Sequence, residues 1–143
     1  MTTIIEESQL NTELQELYLI SKHWISDLEF FHNDLIFLQK LVDRGCSQLK
    51  KHETSGNMAE MKIMVTDLKN SSALISENVI SYLSLLEPMI KNSDKSHYEL
   101  SLIETHSHLE CEIDSLLQTF KSVKQRVFKL TSERIKAVNA KLL

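Results

Sequence analysis

Glycine and proline are nearly absent from this chain, with two glycines and one proline in 143 residues. A multi-stranded sheet needs turns, and turns draw on those residues. The scarcity argues against a β-rich fold. Cysteine is also scarce. Cys46 and Cys111 are the two present, and without a secretory signal they read as free thiols of a reducing compartment. The opening MTTIIEESQL has no basic stretch leading into an apolar one, so it does not read as a signal peptide. No window reaches the roughly eighteen consecutive apolar residues that a membrane span needs. These absences lead to the expectation of a cytoplasmic protein. Gly-rich phosphate loops, nucleophile elbows and Cys-x-x-Cys pairs are missing too, so neither an enzyme nor a cofactor is expected. A net charge of −4 is too small to imply a polyanionic partner.

What is present is an apolar spacing of three and four residues, sustained along three segments. The first runs Leu10, Leu14, Leu17, Ser21, Trp24, Leu28, Phe31, Leu35, Leu38, Val42, Gly45, Leu49. The second runs Met61, Val65, Leu68, Ser72, Ile75, Val79, Tyr82, Leu86, Met89. The third runs Leu102, His106, Leu109, Ile113, Leu116, Phe120, Val123, Val127, Leu130. None of these positions carries a carboxylate, Lys or Arg. Apolar residues at heptad a and d positions over this length predict helices packed along coiled-coil-like seams. The expected fold is all-α: one domain over residues 1–143, an antiparallel up-down-up bundle of three long helices at about 10–50, 57–91 and 96–140.

Polar breaks at KKHETSGN (50–57) and NSDK (92–95) separate the segments. Thr3 with Glu6, Asn57 with Glu60 and Ser96 with Glu99 fit capping boxes. Gly56 can supply the positive φ that helix ends often take. Pro88 should kink or end the last turn of the second helix. A four-helix alternative would break near Asn70–Ser72, but Leu68, Ser72 and Ile75 keep register there. Matching the seams antiparallel sets Trp24 with Leu86 and His106, Leu38 with Ser72 and Phe120, Ser21 with Met89 and Leu102, and Gly45 with Val65 and Val127.

Four features bear on function. His106 is the one seam residue that titrates near neutrality. It reads either as a buried switch, or as a neutral ring against Trp24 with a nitrogen bonded to Ser21 or a backbone carbonyl. A buried di-metal centre is excluded because no seam position holds an acid. The i,i+4 series Glu104, His108 and Glu112 is a weak surface candidate for zinc. Lys121, Lys124, Arg126, Lys129, Arg134 and Lys136 make the last helix end basic, with Arg44, Lys50 and Lys51 at the same pole. Helix-dipole complementarity explains such a pole. An anionic partner is the alternative, and nucleic acid is disfavoured by the negative net charge. Finally, Phe30 and Phe37 lie outward, one heptad apart, flanked by Ile20 and Leu41. Exposed apolar residues in a stripe mark interfaces, so these four are the expected contact with a second copy or another helical protein.

The stretch SKHWISDLEFFHNDLIFLQKL, with its Trp on the first helix, resembles spectrin-type repeats over about twenty residues. The resemblance implies a three-helix arrangement and no activity, and the helices are longer than one such repeat requires. The expectation is a non-enzymatic, homodimeric bundle acting through protein–protein contact. A ligand- or metal-binding bundle and an anion-binding module are the alternatives.

Overall fold

The computed structural model describes the backbone of residues 2–48, 55–92 and 100–142, and the side chains of 12–45, 58–91 and 101–133. Every described backbone segment is α-helical. Helix α1 is Thr2–Gln48, α2 is Ser55–Asn92 and α3 is Leu100–Leu142. They pack against one another as a three-helix bundle, and no strand occurs among the described residues.

The apolar spacing accounts for the core. Every seam residue with a described side chain is buried, except Leu17, Met89 and Leu130, which are half-buried. Met58 is the one other buried residue among those described, and it extends the α2 seam back by three positions. Helix α2 passes through Asn70–Ser72 without a break, so the four-helix alternative does not apply. It also starts at Ser55, two residues before the expected Asn57. Gly56 therefore lies in its first turn, where no helix end requires a positive φ. Pro88 does not end α2, which continues to Asn92. So close to the C-terminus the ring costs one backbone hydrogen bond and few turns remain to disturb. The cap expected at Ser96–Glu99 lies outside the described residues, as do Lys50 and Lys51 and the side chains of Thr3, Cys46, Arg134 and Lys136.

The contacts divide the chain into two compact units. Unit 1 is Met1–Phe30 with Ala73–Asp114, and unit 2 is Phe31–Ser72 with Ser115–Leu143. Each unit thus takes one stretch of every helix. The early part of α1 joins the late part of α2 and the early part of α3, as an up-down-up order requires. In unit 1 the apolar core includes Leu14, Leu28, Val79, Leu86, Leu109 and Ile113, and the polar side chains Ser21 and His106 are buried with it. In unit 2 it includes Phe31, Leu35, Met61, Val65, Phe120 and Val127, with Ser72. Burying each such apolar side chain is worth about 1.5–3 kcal/mol.

Candidate functional site

The seam of unit 1 is interrupted by a polar and aromatic layer. Trp24 on α1 and His106 on α3 stack with ring centroids 4.6 Å apart and an interplanar angle of 30°. The sequence spacing places these two together, and they meet. From α2 the neighbouring ring is Tyr82, 5.7 Å from His106. Tyr82 lies one turn from Leu86, which the spacing assigns to this layer. The Tyr82 hydroxyl donates to the Leu102 carbonyl at 3.4 Å, which ties α2 to the first turn of α3.

His106 itself is 9% exposed, and its Nδ1 has no hydrogen-bond partner. The bond expected from Ser21 does not form. The Ser21 hydroxyl donates instead to the Leu17 carbonyl of its own helix at 2.8 Å. That choice is local: a serine inside a helix always has the carbonyl four residues back within reach. An unsatisfied buried polar group costs about 1–3 kcal/mol. Burial lowers the pKa of His106 from its ordinary value, and the nearby Glu110 carboxylate partly offsets this by pulling it up. The neutral ring is the favoured form in this setting.

The surface of unit 1 is unusually apolar. Phe30 is 72% exposed, and Leu19, Ile20, Leu74, Ile80, Leu85 and Ile103 are exposed as well. Leu19 and Phe30 are eleven residues apart in the sequence, which at about 100° per residue brings them to one face of α1. Strict heptad counting misses Leu19, and an eleven-residue spacing would have found it. Between α1 and α2 of this unit runs an open trough of about 310 Å³, lined by Gln15, Tyr18, Leu19, Glu87, Ile90 and Lys91. A second hollow of about 250 Å³ shares Tyr18 and Glu87 with it and adds Ile25, Ile80 and Leu83. The ammonium of Lys22 sits 5.7 Å from the Tyr18 ring centre. Three side-chain contacts of unit 1 run along single helices: the ion pair of Glu87 with Lys91 at 3.5 Å, and the imidazoles of His23 and His108 against Asp27, at 3.6 Å, and Glu112.

Unit 2 arranges its charges differently. Asp43 on α1 pairs with Lys62 on α2, Asp34 on α1 with Lys124 on α3, and Glu60 on α2 with Arg126 on α3, each at 3.7 Å. Lys69 donates to the Gln39 side-chain oxygen at 3.1 Å. Inside, Phe31 meets Phe120 with centroids 4.3 Å apart. Phe31 stands one heptad from Leu38, which the spacing sets beside Phe120. Lys124 also lies 5.5 Å from the Phe120 ring centre and 5.8 Å from that of Phe128. Two members of the expected basic pole, Lys124 and Arg126, are thus engaged with acids of other helices, while Lys121 and Lys129 are exposed. Of the expected interface residues in this unit, Phe37 is 54% exposed and Leu41 half-buried.

The zinc candidate does not assemble. His108 is spent on Glu112, and no group of three His, Cys, Asp or Glu side chains is placed to hold a metal among the described residues. Cys111 is an exposed free thiol. No helix among the described residues is long and apolar enough to cross a membrane. Comparison with protein-family models, with curated proteins and with solved structures gives no match.

Proposed function

We propose that the protein works without catalysis, by packing helices against a second copy of itself, with the unit 1 stretch of α1 as the contact. The observation that carries this reading is Phe30, an aromatic ring 72% exposed on a helix whose inward face is already filled. It has company, since Leu19 and Ile20 are exposed on the same helix. The charge contacts seen in this unit each join two residues of one helix. A twofold pairing uses the same patch on both copies, so one arrangement covers the exposed ring of each copy. Phe37, on the unit 2 stretch of the same helix, is a separate exposed ring. The seams inside each copy are read as coiled-coil-like packing, and the exposed free thiol of Cys111 suits a cytoplasmic setting.

Magnitudes set what the contact requires. Burying one Phe yields about 1.5–3 kcal/mol, whereas association costs about 4–15 kcal/mol in lost freedom. Phe30 alone is insufficient, so the contact must recruit Leu19, Ile20 and part of the trough around Tyr18. Sedimentation equilibrium over a wide concentration range tests this. The unaltered protein should be a dimer. Phe30→Glu should give a monomer with unchanged helical circular dichroism. Phe128→Glu, in unit 2, should leave the dimer intact. A wild-type protein that stays monomeric throughout removes the proposal.

A further inference from the structure

We infer that unit 1 contains an acid-operated release: protonating His106, held between Trp24 and Tyr82, opens unit 1 and leaves unit 2 closed. The inference concerns the single chain and does not depend on self-association.

The geometry supplies the argument. A neutral imidazole carries one N–H and one lone pair, whereas the imidazolium carries two N–H donors and a charge. At His106 one ring nitrogen already lacks a partner. Protonation would add a charge to a ring 9% exposed, with its Nδ1 still unserved. No second ring nitrogen of this kind stands buried and unpartnered among the described side chains.

The surroundings offer the charged ring little relief. From α1 the facing group is Trp24, and the charged residues of that stretch, Lys22, His23 and Asp27, are exposed. His23 and Asp27 are also engaged with each other. From α2 the facing group is Tyr82, whose hydroxyl is committed to Leu102. The acids of that stretch, Glu77 and Glu87, are exposed, and Glu87 pairs with Lys91. On α3 itself, Glu104, His108 and Glu110 are exposed. Glu110 is the one that acts on His106, and burial outweighs it. The indole face does attract a cation, but the net direction remains toward the neutral ring.

The sign follows from linkage. The folded-state pKa of His106 lies below the ordinary 6.5, so the opened state binds the proton more readily. The stabilisation is full above about pH 6.5. It is lost as pH falls from there to the folded-state pKa, and the opening constant rises by up to about tenfold per pH unit in that window. Unit 2 has no counterpart. Ser72, which does not titrate, is its buried polar side chain among the described residues, and His32 is half-buried.

Hydrogen exchange of the full chain, read by mass spectrometry at about pH 7.5 and about pH 5.5 and corrected for intrinsic chemistry, tests this window. Segments 17–28, 75–89 and 102–113 should lose protection on acidification by several-fold to about tenfold. Segments 34–45, 58–70 and 116–130 should keep theirs. His106→Phe should abolish the response, and His106→Leu serves the same purpose if the larger ring does not fit. His23→Gln should retain it. Unit 1 protection that ignores pH, an acid response that persists in both His106 variants, or equal loss in both units would each overturn the inference. So would a ring titration by nuclear magnetic resonance that places His106 at or above 6.5.

Discussion

Unit 2 ties its three helices together through their charges, whereas the charge contacts seen in unit 1 run along single helices. Asp43–Lys62, Asp34–Lys124 and Glu60–Arg126 each join two helices of unit 2. His23–Asp27, Glu87–Lys91 and His108–Glu112 join none. The cores differ in the same sense. Unit 2 closes on Phe31 against Phe120, while unit 1 buries a histidine with an unserved nitrogen. The difference teaches that composition alone does not locate a working surface. Both units have acids and bases, and what matters is whether those charges span the grooves between helices. Where they do, the grooves are covered by long side chains. In unit 1, Leu19 and Phe30 are exposed, and Tyr18 lines the trough between α1 and α2.

The comparison can be broken most forcefully in the cores. Leu14 in unit 1 and Leu35 in unit 2 are both fully buried, and truncating either to Ala should cost about 2–5 kcal/mol. Hydrogen exchange should show the Leu35→Ala damage concentrated in unit 2 and the Leu14→Ala damage in unit 1. Equal damage everywhere would mean that the two units fold as one cooperative body. Next in size is the loss of the dimer in Phe30→Glu, set against its retention in Phe128→Glu. The acid response of His106 follows.

A smaller effect is expected from the charges. Lys124→Ala removes the pair with Asp34, which is partly solvent-screened, and should cost about 0.2–1 kcal/mol. The loss should shrink in high salt, as measured by urea titration at two ionic strengths. A loss that ignores salt would point to the contacts with Phe120 and Phe128 instead. The smallest effect belongs to Ser21→Ala. Because its hydroxyl serves only the Leu17 carbonyl among the bonds seen, stability should change by no more than about 0.5 kcal/mol. A larger drop would reveal a role toward His106 that the hydroxyl geometry does not provide.

Much of the fold was legible before any coordinates. The three-four spacing names the buried face of all three helices, and Met58 is the buried residue it leaves out. Register through Asn70–Ser72 correctly predicts an unbroken α2. Trp24 against His106 was legible too. Other pairings were not, because the spacing is unchanged when one helix slides along another by a turn. The ring contacts of Tyr82 with His106 and of Phe31 with Phe120 are among those the spacing does not name. The division into two units was hidden for a related reason: the apolar pattern runs on through Phe31 and Ser72 without a mark. Leu19 escaped because heptads and true helical turns diverge over eleven residues.

The unbroken helicity has one more consequence. Across the described residues the main chain spends its donors and acceptors within its own helices, and there is no strand edge on which a visiting peptide could add a strand. Recognition must therefore be written in side chains alone. A vocabulary of that kind is easy to edit: if the proposed contact on α1 holds, exchanging one ring there would change what is recognised, with the scaffold underneath left as it was.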